Sequence, residues 1–430
     1  MFFKNKKRKP SNLTRPNRSQ QGSGVATNNE PTRRHRPDYV LLILALALLS
    51  IGLVVVYSIS PGLAASRDVS ENYFVSKQLI AIGLGLFAFA VFSAVQVSSL
   101  KRWRNGVALV AIAAALGVQL FGSQINGASR WIQAGGLSFQ VAELIKLALI
   151  IWLASFLVER IVSGKISSFS DTLQPLLILM AIIGVVVAVF ESDLGSAGVM
   201  VAIVIVMAFA AGLPMKKIGL VALIIAIGTI MAISTSEYRR ERVATFLNPS
   251  ADCQASGYQA CQALIAVGSG GIFGLGLGKS VQAYGYLPEA ANDSIFAVVA
   301  EKFGFIGVSL IISIYLWLFT RFRRIILRTP DMFSRLFVVG VLAWISVQAI
   351  INIGAMIGLL PLKGITLPFI SYGGTSLVFV MAALGIVFNI SRYTSFAPIR
   401  NVSLAGEGNN DNHSRGGRQR RPHYATARGR

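Results

Sequence analysis

The chain has 430 residues, of which 54% are hydrophobic and 13% charged, against about a quarter charged in soluble domains. Its apolar residues gather in runs long enough to cross ~30 Å of hydrocarbon, which excludes a water-soluble globular domain. The net charge of +22 invites a nucleic-acid partner. However, the basic residues sit in the two tails and in alternate loops, and this positive-inside pattern accounts for the excess without nucleic acid.

Residues 1–38 form a polar, basic leader that is expected to be disordered. The first apolar run starts near Tyr39 and more spans follow, so no cleavable signal peptide is expected. Apolar runs then occupy roughly 39–60, 74–95, 106–122, 141–158, 173–190, 194–211, 215–234, 294–320, 335–360 and 375–393. Residues 394–430 form a second polar, basic tail. The expected fold is therefore an all-α polytopic membrane protein with about ten transmembrane helices. Its domain spans 39–393, with a large extracytoplasmic loop at 235–293 between the seventh and eighth helices. An even count puts both termini on one side. That side carries 30 of the 40 Lys and Arg and the other carries 7, so both tails are placed in the cytoplasm.

The three histidines, His35, His413 and His423, all lie in the tails. A His-based zinc site or a Ser-His-Asp triad is thus excluded from the membrane body, and acid–base chemistry falls to carboxylates, Lys or Tyr. Glu143 and Lys146 are three apart on one predicted helix face, either as a structural ion pair or as a charged cavity lining. Asp193, between two spans, is either a helix cap or a site residue. The run GSGGIFGLGLGKS (268–280) lacks the first glycine of a phosphate-binding loop, because Phe273 stands there, and it follows no strand. Its glycines point instead to close backbone packing. Glu301 and Lys302 are adjacent and point apart, so they need different partners and receive no role.

Asp293 stands just before the eighth span, at the boundary of water and lipid, where a lipid-anchored substrate presents its headgroup. A carboxylate in a partly dry cleft can act as a general base, whereas an ordinary one there caps the helix. Arg130, Arg239, Arg240, Arg242 and Lys363 are outward cations suited to a pyrophosphate or to lipid headgroups. Tyr372 is a natural interfacial residue beside a tight Gly373-Gly374 turn. Cys253 and Cys261 share the outward loop, either as a disulfide or as two free thiols.

The segments NGASRWI, AELIK, ESDLGSAG, RVATFLNP, the glycine run, YLPEA with Asp293, and LPFISYGGTS occur in that order. Together, over residues 36–395, the chain resembles the SEDS family of shape, elongation, division and sporulation proteins (FtsW/RodA/SpoVE type), and most resembles its division member. The resemblance implies a ten-helix glycosyltransferase that polymerises lipid II into peptidoglycan, with Asp293 catalytic. It associates Arg130, Glu143, Lys146 and Asp193 with the cavity, and Arg242, Lys363, Ser371 and Tyr372 complete the substrate-binding candidates. The implied partners are a class B penicillin-binding protein, other divisome proteins and membrane lipids. The location is the bacterial inner membrane, concentrated at the septum. Two departures stand out: Ala291 and Asn292 replace the family's His-Thr, and Gln140-Val141-Ala142-Glu143 replaces Gln-Pro-Ser-Glu. No cofactor is certain. A divalent cation (Mg or Mn) stays open, since no carboxylate cluster demands one. The alternatives are a lipid II flippase, an elongation polymerase and a recruiting scaffold.

Overall fold

The structure, a computed structural model, describes residues 35–393 apart from 122, 126–127, 135–136, 191–192, 235–236, 249–252 and 256. The two basic tails, 1–34 and 394–430, lie outside the described residues.

Every apolar run of the sequence folds as a helix. In chain order these are α1 (Tyr39–Arg67), α2 (Tyr73–Ala94), a short α3 (Val97–Arg102), α4 (Arg104–Phe121), α5 (Val141–Val162), α6 (Gln174–Ile183), α7 (Leu194–Ala210) and α8 (Met215–Ser234). Then come α9 (Glu237–Leu247), α10 (Tyr258–Ser269), α11 (Ile295–Arg328), α12 (Met332–Met356) and α13 (Gly374–Ile390). Among the described residues, seven helices are long and apolar enough to cross a membrane, and α4 and α7 are shorter apolar helices. α6 is extended at both ends by π-helical turns, Phe169–Leu173 and Gly184–Phe190.

Helices α5, α7 and α12 pack closely at the centre. A Cβ on Gly340 would lie 2.7 Å from Ile150 Cγ2 and from the Met207 sulfur, so any larger residue there would have to displace these side chains. Trp344, Ile150 and Met207 are fully buried there. Leu109, Val110, Ile112 and Leu116 on α4, Leu223 and Ile227 on α8, and Phe87 on α2 are all exposed. Such a belt would be a liability in water, but hydrocarbon is its proper solvent.

One end of the bundle, the tail end, is locked by polar contacts. Asp38 caps α1, accepting from the Leu41 amide at 3.4 Å, and pairs with Arg321 at 2.6 Å. The backbone amide of His35 donates to the Arg392 carbonyl at 2.7 Å. Residues 35–38, read from sequence as part of a disordered leader, are therefore tied down, which is a correction of four residues.

The opposite end carries the irregular structure that apolar periodicity could not reveal. Strands β1 (Ser123–Ile125), β2 (Ala128–Ala134) and β3 (Leu137–Gln140) form an antiparallel meander between α4 and α5. The sheet is held by Phe139 against Phe379 of α13, with ring centroids 5.7 Å apart. The expected long loop 235–293 contains α9 and α10.

The glycine run docks on α11 as the sequence implied. A Cβ on Gly270 would sit 1.9 Å from the Ala300 carbonyl oxygen, and one on Gly274 would sit 2.2 Å from that of Lys302. α11 breaks at Gly304 (φ +62), and the freed backbone groups are used: Leu275 and Gly276 amides donate to the Glu301 and Lys302 carbonyls at 2.9 and 3.0 Å. Glu301, fully buried, accepts from Ser280 and from the amides of Val281 and Gln282 at 2.8 and 3.0 Å. Lys302 donates to the Leu277 carbonyl at 2.8 Å. The two adjacent charges thus clamp this loop from different sides.

Candidate active site at the loop end of the bundle

The segment joining α12 to α13, residues 357–373, is not helical, yet Ile365, Leu367, Phe369 and Ile370 are buried. Irregular backbone survives at such a depth only if protein groups satisfy it. Here the neighbouring helices supply them. Asn352 of α12 donates to the Ile365 carbonyl at 2.8 Å. Gln348, one turn earlier, donates to the Thr366 carbonyl at 3.0 Å. The Tyr315 hydroxyl of α11 donates to the Pro368 carbonyl. Phe369 holds a left-handed conformation (φ +68), a strained state for a non-glycine residue that persists because its surroundings fix it.

This segment is stitched to the turn that ends in Asp293. The Tyr372 amide donates to the Ala291 carbonyl at 2.8 Å, and the Ser371 hydroxyl to the Asn292 carbonyl at 2.6 Å. Asn352 donates to the Asp293 carbonyl at 2.6 Å. The helix cap position falls to Ser294, not to Asp293. Asp293 is part-buried: its Oδ1 is enclosed, and its Oδ2 lies 3.8 Å from where a Cβ on exposed Gly364 would sit, so an alanine methyl there would just touch the carboxylate.

Four other expected residues meet this centre. Lys363 immediately precedes Gly364 and is partly exposed. Asp193 caps α7, accepting from the Ser196 amide at 2.9 Å and its hydroxyl at 2.8 Å. Next to it, a Cβ on Gly195 would fall 2.7 Å from Ile365, so this cap lies against the same segment. Ser371 is buried as a strut, since its oxygen also accepts from the Leu367 amide at 2.7 Å. Tyr372 packs edge-on to Phe74 at 5.6 Å. Burial, reinforced by neighbouring Tyr73 and opposed by Arg67, pushes its hydroxyl up to about 12, so it stays protonated at physiological pH.

Glu143 and Lys146 resolve into an ion pair at 2.8 Å, with side chains 3% and 1% exposed. The ammonium also donates to Gln348 Oε1 at 3.1 Å, and that oxygen accepts from the Trp344 indole at 2.8 Å. Gln348 therefore links the pair to Thr366. Arg130 lies on β2 and Arg242 on α9, which packs on α8; the side chains of both are outside the described residues. Cys253 and Cys261 form a disulfide with a Cα–Cα distance of 5.7 Å. Gln259, two residues from Cys261, donates to the Ser294 hydroxyl at 3.2 Å.

A family model described as cell cycle protein, FtsW/RodA/SpoVE, matches residues 39–396. The chain belongs to that family. It is 38% identical over 372 residues to stage V sporulation protein E of Bacillus subtilis, covering 85% of this chain and all of that protein. A Geobacter metallireducens protein, named probable peptidoglycan glycosyltransferase FtsW, is 37% identical over 83% of this chain and 95% of its own length. Two solved structures are similar. One is a chain of a peptidoglycan synthase complex, studied for its coordination of polymerization and crosslinking (TM-score 0.68, 28% identity, 83% of this chain, 98% of that one). The other is the rod shape determining protein RodA of Thermus thermophilus (TM-score 0.61, 28% identity, 83% and 97%).

Within this family the chain's unusual Ala291 and Asn292 have a physical account. Each supplies a backbone carbonyl, to Tyr372 and Ser371 respectively, which any residue can do, and the Asn292 side-chain amide also donates to the Glu289 carboxylate. Among the described residues no group of three or more His, Cys, Asp or Glu could hold a metal ion. A cavity of about 670 Å³ lined by Gln96, Lys101, Asp331 and Arg392 lies at the tail end, away from Asp293.

Sequence reasoning overlooked Gln348 and Asn352. Two amides four residues apart inside an apolar span are a legible signal, because polar groups at that depth must have partners on one helix face. Gln78 on α2, fully buried, was missed likewise.

Proposed function

We propose that the protein polymerises lipid II into glycan strands at the outer face of the cytoplasmic membrane, serving septal wall synthesis, with Asp293 as general base. The observation that carries the reading is part-buried Asp293 just before α11, with its Oδ2 toward exposed Gly364 and its backbone carbonyl held by buried Asn352. We take the space beside Gly364 as the acceptor site.

The acceptor's sugar hydroxyl enters that space and gives its proton to Asp293 as its oxygen bonds to the donor's anomeric carbon. The bond from that carbon to the lipid diphosphate breaks with inversion, and the diphosphate leaves with the electron pair. A positioned base is worth about 10²–10⁴-fold. Lys363, beside the same space, is the described cation best placed to offset charge on the leaving diphosphate, with Arg130 and Arg242 as further candidates. Lys146 is spent on Glu143 and Gln348, so in this reading it shapes the cavity wall from behind. A divalent cation, if used, would be carried by the diphosphate; polymerisation in the presence of EDTA tests this.

The charge asymmetry supports placing both tails in the cytoplasm, which puts Asp293 on the outer side. Similarity to a chain of a peptidoglycan synthase complex supports a class B penicillin-binding protein as partner. The test is polymerisation of lipid II in detergent by the purified protein with such a partner. Glycan chains from the wild type and a rate lower by about 10²–10⁴-fold from Asp293→Asn are expected. Failure of the wild type to polymerise would favour a flippase, and an active Asp293→Asn would remove the base. Localisation of a fluorescent fusion, at septum or sidewall, separates division from elongation.

A further inference from the structure

Asn352 makes an unusual choice of partners. Its Nδ2 donates to two carbonyls from different parts of the chain, Asp293 at 2.6 Å and Ile365 at 2.8 Å. The residue is 1% exposed, and its Oδ1 is buried with no hydrogen-bond partner among the described residues. Leaving a buried acceptor unmet costs about 1–3 kcal/mol. An amide kept at that cost has its orientation fixed by what its donors hold. They hold the Asp293 backbone against the segment that carries Lys363 and Gly364.

We propose that Asn352 is the positioning residue for Asp293, and that Gln348 continues the same device. The two amides lie four residues apart on one face of α12 and hold consecutive carbonyls, those of Ile365 and Thr366. Gln348 is in turn oriented by Lys146 and Trp344. A polar spine thus runs from the buried ion pair to Asp293. Since α12 is deeply buried, the spine ties the register of an irregular segment to the core of the bundle. The inference rests on Asp293 being the base.

The experiment uses the full-length protein with its class B partner and lipid II. Asn352→Leu keeps the side chain's size and removes both donors. Misplacing a catalytic group by about 1 Å costs on the order of 10²-fold, so kcat should fall about 30- to 100-fold with KM within about threefold. Its melting temperature, measured in detergent, gates the comparison. Asn352→Ser, which keeps one donor, should recover part of the rate and serves alone if the leucine variant does not fold. The decisive arm is the double variant with Asp293→Asn: if Asn352 acts through that carboxylate, adding Asn352→Leu should not lower the residual rate further. A folded Asn352→Leu with near wild-type kcat, a loss confined to KM, Asn352→Ser equal to wild type, or multiplying losses in the double variant would each overturn the proposal. An inactive Asp293→Asn beside an active Asn352→Leu sinks the positioning role alone, whereas an active Asp293→Asn sinks the base and the positioning role together.

Discussion

Two charged centres stand at the loop end of the bundle and are built in opposite ways. The Glu143–Lys146 pair is closed: both side chains are almost fully buried, and the ammonium's contacts are a carboxylate and an amide of its own chain. Asp293 stands at a span edge: its backbone carbonyl is pinned by Asn352, and its Oδ2 lies toward exposed Gly364. Charges sealed inside a bundle hold architecture together, since their field is consumed by each other. A charge on the rim with its main chain fixed is the one we propose a substrate meets.

The contrast can be broken by substitution. Asp293→Asn should lower polymerisation by about 10²–10⁴-fold and leave thermal unfolding in detergent nearly unchanged. Lys146→Met should do the reverse in kind. It strands the Glu143 charge, and breaking a buried pair costs about 3–5 kcal/mol, so the melting temperature falls first; adding Glu143→Gln should restore much of it. The disulfide is a smaller lever. It closes a loop with a sequence separation of 8, for which chain entropy gives roughly 2.5 kcal/mol; Cys253→Ser should lower thermal stability by that order against the oxidised wild type and match the reduced wild type. Gly364→Leu is the mildest. Its side chain would enter the space before Asp293, raising KM for lipid II about tenfold, or ~1.4 kcal/mol, whereas Gly364→Ala fits and should be near neutral. A Gly364→Leu variant with unaltered KM would mean the substrate does not use this space.

Much of the fold was legible because the bilayer imposes a length and a polarity on each span. The ten apolar runs became helices whose ends agree with the sequence to within a few residues over most of the chain, although α11 runs on to Arg328 and α12 stops at Met356. The glycine run was read as close packing for a reason that holds locally: without Cβ atoms, backbones can touch. The meander at 123–140 escaped, because short strands in a polar stretch leave no periodic signal. So did the distinction at Glu143 and Lys146. Spacing says that two residues share a helix face, but not whether that face meets water, lipid or protein.

The sequence by itself determined that this is a multi-span membrane protein, where its apolar helices lie, and which carboxylate stands at the edge of one. Those properties are local: hydropathy, charge and glycine act within a few residues of their own position. Only the tertiary structure decided that Asp293, Gly364, Asp193 and the Lys146 spine converge. Their approach depends on α12 presenting Gln348 and Asn352 to carbonyls more than a helical turn beyond its own end, and on a broken α11 that releases backbone groups for a distant loop. Partners so far apart along the chain are chosen by packing.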